Sequence, residues 1–128
     1  EGTIAGGMDD GSVCLWDAAS VLGAEGDSPA AVIASKALYS GPVKGLQFNH
    51  VQPFLLASGS SNAQLSLLDL NDPSKTYAPG QGKSQRLEDI SDLAWNAKTQ
   101  HILAAASNNG WTVIWDLRGK REILQFAN

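Results

Sequence analysis

Apolar and polar side chains alternate in short stretches along the whole chain. The residues of 43–48 fall into two alternating sets, 90–95 repeats a similar pattern, and the residues around Leu65 and Val113 are spaced in the same way. A period of two is typical of a β-strand, in which one face packs while the other faces elsewhere. These stretches are therefore predicted to be strands.

The predicted strands belong to three segment types that recur in one register. The type that ends each repeat closes on Asp17, Asp69 and Asp116, which are 52 and 47 residues apart. The other two types keep the same offsets. A register shared by three independent segment types indicates an internal structural repeat. The aligned segments are 9–17, 61–69 and 108–116; 3–8, 55–60 and 102–107; and 43–49 and 90–96.

Turn-forming residues separate the second and third strand of each repeat. Asp10-Gly11 and Asn109-Gly110 are strong hairpin signals, because a tight primed turn needs positive φ at its central residues. The middle repeat has Ala63 where the others have glycine. Alanine fits this conformation less well, so a looser turn is predicted there.

Four short antiparallel strands, a to d, in a repeat of about 40–50 residues make up one blade of a β-propeller. The chain is therefore predicted to be all-β. Residues 1–128 form part of a single propeller domain with about three four-stranded antiparallel blades, the first and last incomplete. Blade one, entered at strand b, spans 1–42, blade two 43–89 and blade three 90–128. The d strands are predicted near 32–39, 74–77 and 122–126.

The segments that close the repeats resemble the WD repeat. In that family the dipeptide Trp-Asp ends strand c; it occurs here twice, and Leu-Asp in the middle repeat is a degenerate copy. The resemblance implies blades arranged around a central axis. Phe48 and Trp95, in equivalent positions of two a strands, are predicted to lie in the blade cores. The predicted structural signature consists of Trp16, Asp17, Leu68, Asp69, Trp115 and Asp116.

The chain departs from the generic WD pattern around its buried hydrogen bonds. The common repeat has Gly-His before strand a, a strand-b hydroxyl and a turn aspartate, which together hydrogen-bond to the strand-c tryptophan. Gly41-Pro42 and Glu88-Asp89 stand where Gly-His is expected, and only Ser58 of the three strand-b residues has a hydroxyl. The network is predicted to be incomplete. Packing of large side chains, worth roughly 1.5–3 kcal/mol each, must then supply more of the stability.

A closer resemblance covers essentially the whole chain. The run from 87 to 118, and with it 41–46 and 4–7, resembles the propeller of the Sec-thirty-one family, the larger subunit of the COPII outer coat. The resemblance implies a non-catalytic scaffold in endoplasmic reticulum to Golgi transport. Expected partners are the smaller propeller subunit of the outer coat, inner-coat subunits and further copies in the cage. The expected location is cytoplasmic, at endoplasmic reticulum exit sites and on coated vesicles, with membrane association only through the coat.

Composition changes this picture little. Of the residues, 43% are hydrophobic and 17% charged, the balance of a folded domain. The net charge of −4 lacks the basic excess of nucleic-acid binders, so nucleic acid is not an expected partner. No stretch approaches the roughly 20 apolar residues that span a bilayer. The chain does not begin with methionine, and we expect it to be part of a longer protein.

Candidate chemistry is sparse. His50 and His101 fall in different a–b connections and do not coincide in the repeat register, and Cys14 lies within strand c without a nameable base. The residues 9–11 are interpreted as a turn, because the rest of a calcium loop is absent. No catalytic residue, metal site, cofactor or small-molecule substrate is therefore predicted. The basic turn at 118–121 is interpreted as solvated, with contact to an acidic partner or membrane surface as the alternative.

Two other hypotheses stay open at this point. A WD-repeat adaptor of another complex, such as a chromatin or ubiquitin-ligase substrate reader, would use a peptide pocket at one end of the ring. An enzyme built on a propeller would need histidine or acidic side chains at the axis, and the two loop histidines argue against it. Because an arc of about three blades leaves open faces and edges, residues 1–128 expressed alone are predicted to be insoluble or unfolded.

Overall fold

Eleven β-strands are present in the part of the chain that the computed structural model describes, residues 2–19, 32–72, 76–77, 87–119 and 121–127. Most have five to seven residues, the usual length for a strand. The strands are β1 (Thr3–Gly7), β2 (Ser12–Asp17), β3 (Val32–Ala37), β4 (Val43–Phe48), β5 (Leu55–Ser60), β6 (Leu65–Asp69), β7 (Thr76–Tyr77), β8 (Ile90–Trp95), β9 (Ile102–Ser107), β10 (Trp111–Asp116) and β11 (Arg121–Ala127).

The strands form three antiparallel sheets in which each strand pairs with its neighbours in sequence. The first sheet contains β1 to β3, the second β4 to β7 and the third β8 to β11. The all-β class and the propeller-like series of blades are confirmed, as is an incomplete first blade. The prediction of an incomplete last blade is wrong. β11 pairs with β10 from Trp111↔Ala127 to Asp116↔Arg121, so the third sheet has all four strands.

The outer d strands lie near their predicted positions but differ in length. β3 ends at Ala37 and not at Tyr39, because the N–H groups of Leu38 and Tyr39 both donate to the Gly11 carbonyl, at 3.1 Å. β7 has only two residues, and β11 is longer than predicted. Lys120 of the basic turn lies outside the described residues.

The b–c turns of all three sheets are equally tight. The N–H groups of Gly11, Ala63 and Gly110 each donate to the carbonyl three residues earlier, at 3.2, 3.3 and 3.1 Å. Their φ angles are 90°, 62° and 91°. The prediction of a looser turn at Ala63 is therefore wrong. A left-handed conformation costs a non-glycine residue roughly 1–2 kcal/mol, and the burial of Ala63 in the core offsets part of this.

Apolar side chains between neighbouring sheets form two clusters. The cluster between the first and second sheets includes Val13, Leu15 and Leu68, and the cluster between the second and third includes Trp95 and Trp115. Alternation along each strand therefore places one set of side chains toward each neighbouring sheet. Leu68, Trp95 and Trp115 lie in these contacts between sheets.

Candidate functional site

The three signature aspartates perform the same local task. In Asp17, Asp69 and Asp116 the carboxylate Oδ1 accepts the backbone N–H two residues further on, at 3.3, 2.9 and 3.0 Å. Short polar side chains commonly shape turns in this way. The aspartate of the WD dipeptide therefore fixes the turn that follows strand c in its own blade.

Asp116 also faces a positive charge. The Arg118 Nε lies 3.6 Å from its Oδ1, on an arginine side chain that is 72% exposed. Partial desolvation acts to raise the pKa of Asp116, but the backbone N–H, charge and side chain of Arg118 outweigh it, and this pKa is lowered. Because the pair is open to solvent, it contributes little to stability.

In the second and third sheets the large signature residue of strand c faces the preceding sheet. Leu68 is buried between the first and second sheets, and Trp115 between the second and third. Trp16 is only partly buried, and its ring lies against Gly6, where a Cβ would be 2.8 Å away. The signature position is thus a core position wherever a preceding sheet covers it.

Phe48 and Trp95 occupy equivalent places on β4 and β8 but have different surroundings. Trp95 is 4% exposed; its backbone N–H donates to Gln47 Oε1 at 2.7 Å, and its indole Nε1–H donates to the Gln47 carbonyl at 3.0 Å. Phe48 is partly buried and lines a cavity of about 450 Å³ together with Thr3 and Leu70. In the described residues, the first sheet contains no strand a that could lie beside Phe48.

Asn49 is a second link between the second and third sheets. It is 3% exposed, and its Nδ2–H donates to the Gln100 carbonyl at 2.8 Å. Its Oδ1 accepts the N–H groups of Val51 and Gln52, both at 2.8 Å. Asn96 makes the same turn in the third sheet but is exposed. The repeat offset of 47 residues marks Asn49 in the sequence, whereas nothing there marks Gln47.

Tyr39 replaces part of the generic WD hydrogen-bond network. Its hydroxyl donates to the Ser58 carbonyl at 2.9 Å and lies 2.8 Å from the Ser58 hydroxyl, which also reaches the Ser66 carbonyl at 3.4 Å. Burial raises the pKa of Tyr39 to about 12, against the opposing effect of its hydrogen bonds to Ser58 and Ser66. Leu68 has no indole N–H, so Tyr39 links the d–a connection to strand b without a tryptophan. Sequence reasoning missed this residue.

The residues considered above for metal binding or catalysis lie in turns and strands. His50 is exposed in a turn, and the His101 carbonyl accepts the Leu117 N–H at 2.8 Å. Cys14 Sγ lies 3.2 Å from the Ser35 hydroxyl. Asp10 accepts the side-chain and backbone hydrogen bonds of Ser12, and these lower its pKa. Asp10 therefore has the geometry of a turn residue.

Metal-ligand clusters and membrane-spanning helices are absent from the described ranges. In residues 2–19, 32–72, 76–77, 87–119 and 121–127, no three His, Cys, Asp or Glu side chains are placed to share a metal ion. Within the same ranges no helix has the length and apolar character needed to cross a bilayer.

These features define a class of protein. Antiparallel four-stranded sheets that pack face to face, each with an aspartate turn after strand c, are the blades of a WD-repeat β-propeller. The described residues form part of one.

Comparison with known proteins narrows the class. The chain is 46% identical over 124 residues to the protein transport protein SEC31 of Mycosarcoma maydis. It is 42% identical over 130 residues to that of Dictyostelium discoideum. The alignments cover 97% and 96% of the chain but 9% and 10% of the relatives, so the chain spans about a tenth of their length. No family model matches the chain. The resemblance to the SEC31 family is confirmed.

Solved structures agree with this result. The chain matches part of a structure described as COPII on membranes, outer coat vertex, with a TM-score of 0.77 and 28% identity, covering 97% of this chain and 32% of that one. A chain of a mitotic checkpoint complex has the same TM-score at 16% identity, covering 99% of this chain and 36% of that one. At that identity the second match concerns the fold alone.

Proposed function

We propose that this chain is part of a non-catalytic structural scaffold in the outer cage of the COPII vesicle coat, acting in endoplasmic reticulum to Golgi transport. The observation that carries the proposal is the similarity to SEC31 proteins over nearly the whole chain, together with the match to an outer-coat vertex. The propeller serves as a rigid body that presents its surface to other coat proteins.

The proposed partners are the smaller propeller subunit of the outer coat, inner-coat subunits and further copies of the same protein. The proposed location is the cytoplasmic side of endoplasmic reticulum exit sites and of coated vesicles, with the membrane contacted only through the coat. The net charge of −4 supports an indirect membrane contact, because a basic surface would be needed to bind anionic lipid.

The signature residues have structural roles in this proposal. The aspartates hold turns, and Leu68 and Trp115 fill the space between sheets. We assign 1–42, 43–89 and 90–128 to three blades of one propeller domain. The absence of catalysis is supported by the histidines, since His50 and His101 sit in separate turns.

The test uses the complete protein in cells. Cells depleted of it are expected to retain a secretory reporter in the endoplasmic reticulum, and the wild-type protein is expected to restore export. A Trp115→Ala protein, whose blade interface is disrupted, is expected not to restore it, whereas Val51→Ala at an exposed turn is expected to do so. Normal export after depletion, or recovery of the protein with chromatin or a ubiquitin ligase in place of coat subunits, would overturn the proposal.

A further inference from the structure

The three b–c turns share one conformation but differ in their central residues. The second central residue of each turn has a positive φ. The central pairs are Asp10-Gly11, Asn62-Ala63 and Asn109-Gly110. Of these turns, only the third joins an asparagine to a glycine. Such a pair is chemically labile, because the nitrogen of the next peptide can attack the asparagine amide and glycine has no Cβ to hinder the approach.

In the third turn the asparagine side chain lies against its own following peptide. Asn109 Oδ1 accepts the Trp111 N–H at 3.1 Å. The ring closed by this hydrogen bond contains both the Asn109 Cγ and the Gly110 nitrogen. Holding two reacting atoms in one short ring favours an intramolecular reaction. A Cβ at Gly110 would meet no atom within 4 Å beyond its chain neighbours, so the space around this glycine is open.

The middle turn has two features that protect its asparagine. Ala63 places a methyl group beside the nitrogen that would attack, and it is 2% exposed. The Asn62 Nδ2–H donates to the Ser40 hydroxyl at 2.6 Å, so the amide is held toward the d–a connection. Asn62 is therefore a matched control within the chain, at the same position of the same turn but hindered on both sides of the reaction.

The first turn shows how an aspartate behaves at this position. Asp10 Oδ1 accepts the Ser12 N–H at 3.0 Å, which is the bond that Asn109 Oδ1 makes two residues further on in its own turn. A carboxylate therefore supports the same turn as an amide. Asp10 and Asn62 are also exposed although a further sheet packs on each of their blades, so a neighbouring sheet does not hide this position.

We propose that Asn109 is a site of spontaneous deamidation and that the blade accommodates the aspartate formed there. The Gly110 nitrogen loses its proton and bonds to the Asn109 Cγ, while the bond from Cγ to Nδ2 breaks and the amide leaves as ammonia with that proton. Water then opens the cyclic imide at either carbonyl and gives aspartate or its β-linked isomer. The reaction consumes water and requires no oxidant or reductant.

A hydrogen bond within the turn limits the reaction. The Gly110 N–H donates to the Ser107 carbonyl at 3.1 Å, and this bond must open before the nitrogen can attack. Deamidation is therefore expected to be slower in the folded protein than in the unfolded chain. The Asn108 N–H donates to the Asp89 carbonyl, so the new charge adds to an end of the blade that is already acidic. The proposal rests on the turn and not on the transport role, so each can fail without the other.

The first experiment locates the reaction. The complete protein is incubated in mildly alkaline buffer and digested, and its peptides are analysed by mass spectrometry for the conversion of an amide to an acid. Asn109 is expected to convert about tenfold faster than Asn62, because the Cβ of Ala63 hinders the attack. Conversion of Asn109 is expected to be faster still in urea. Equal rates at the two asparagines, no conversion of Asn109, or no acceleration in urea would contradict the proposal.

A substitution tests which nitrogen attacks. Gly110→Ala adds a Cβ beside the proposed nucleophile and is expected to slow the conversion of Asn109 by about tenfold, both in the folded protein and in urea. The measurement in urea separates this hindrance from any change that the variant causes in the folded turn. An unchanged rate in urea would show that the Gly110 nitrogen is not the attacking atom.

The last experiment tests whether the aspartate is accommodated. Asn109→Asp reproduces the product, whereas Asn109→Ala removes the acceptor of the Trp111 N–H. Amide exchange of β10 in the complete protein is expected to be unchanged in Asn109→Asp and severalfold faster in Asn109→Ala, because only the second variant loses the hydrogen bond. Exchange accelerated equally in both variants would show that the carboxylate does not support the turn.

Discussion

The two interfaces between sheets are closed by different means. Between the second and third sheets the two strands a, β4 and β8, meet, and Trp95 donates two hydrogen bonds to Gln47 across the interface. Between the first and second sheets the described residues include no strand a on one side, and polar contacts there include the Tyr39 hydroxyl to Ser58 and the Val43 N–H to the Met8 carbonyl. The equivalent aromatic residue, Phe48, borders a cavity there.

This difference separates the roles of the strands within a blade. The packing of strand a on the strand-b glycine of the preceding sheet is similar in both interfaces, since Val43 lies against Gly7 and Ile90 lies against Gly59. Strand a adds side-chain hydrogen bonds that are specific to one pair of blades. The hydrogen bonds from Trp95 to Gln47 therefore distinguish the interface of the second and third sheets, whereas the apolar packing of strand a recurs in both interfaces.

The largest difference in stability between the two interfaces is expected when their equivalent aromatic residues, Trp95 and Phe48, are truncated. Trp95→Ala is expected to destabilise the interface of the second and third sheets by about 3–5 kcal/mol, because it removes a buried ring. Phe48→Ala is expected to destabilise its own interface by about half as much, because its ring is only partly buried. Hydrogen exchange of β9 and β5 in the complete protein measures the two effects, and equal losses would erase the distinction.

The next effect concerns Gln47. Gln47→Ala leaves the buried Trp95 backbone N–H without its acceptor and is expected to destabilise β8 by about 1–3 kcal/mol. Gln64→Ala, at an exposed position of the same sheet, is the matched control and should change little. The same exchange measurement reports both variants. If they behave alike, the polar contact does not seal the interface.

A smaller effect is expected at Tyr39. Tyr39→Phe removes the hydroxyl while keeping the ring, and it is expected to weaken the interface of the first and second sheets by about 0.5–1.5 kcal/mol. Exchange of β5 should increase while that of β9 stays constant. An increase in β9 as large as in β5 would show that the two interfaces are not independent.

The same residue predicts a dependence on alkaline pH. Burial raises the pKa of Tyr39 from 10.0 to about 12, so the unfolded chain releases this proton first. The contribution of Tyr39 to stability is therefore fully present below about pH 10 and is lost as the pH rises toward about 12. Urea unfolding across this range should show the loss in the wild type and not in Tyr39→Phe, and parallel curves would refute it.

The smallest effect is expected on the surface. Arg118→Ala removes the exposed partner of Asp116 but leaves the backbone hydrogen bond of the turn. No measurable change in stability is expected, because exposed ion pairs are screened. A clear loss of stability in Arg118→Ala at low salt that disappears at high salt would show that the ion pair contributes more than its exposure indicates.

Local patterns in the sequence predicted much of the fold. Strands with a period of two and turns at Gly11 and Gly110 depend on neighbouring residues, and both were found. Ala63 differs because its turn is stabilised by burial against residues distant in sequence. The last blade was wrongly predicted to be incomplete for a similar reason, since β11 is specified by its pairing with β10.

The interface contacts could be predicted less well. Trp95 was expected in a core because large aromatic side chains are usually buried, and it is 4% exposed. Gln47 and Tyr39 carry no local signal, since a polar residue on a strand or in a connection is ordinary. Their roles depend on which atoms a neighbouring sheet brings within reach, and this is set by the stacking of the blades.

The aspartate turns have a consequence for how such chains diverge. Because each signature carboxylate is satisfied within two residues of itself, the turn does not depend on which large side chain precedes it. The middle blade has Leu68 where the other two have tryptophan, and it has the same turn. A turn of this kind allows the residue before the aspartate to differ between blades while the path of the chain from one blade to the next stays the same.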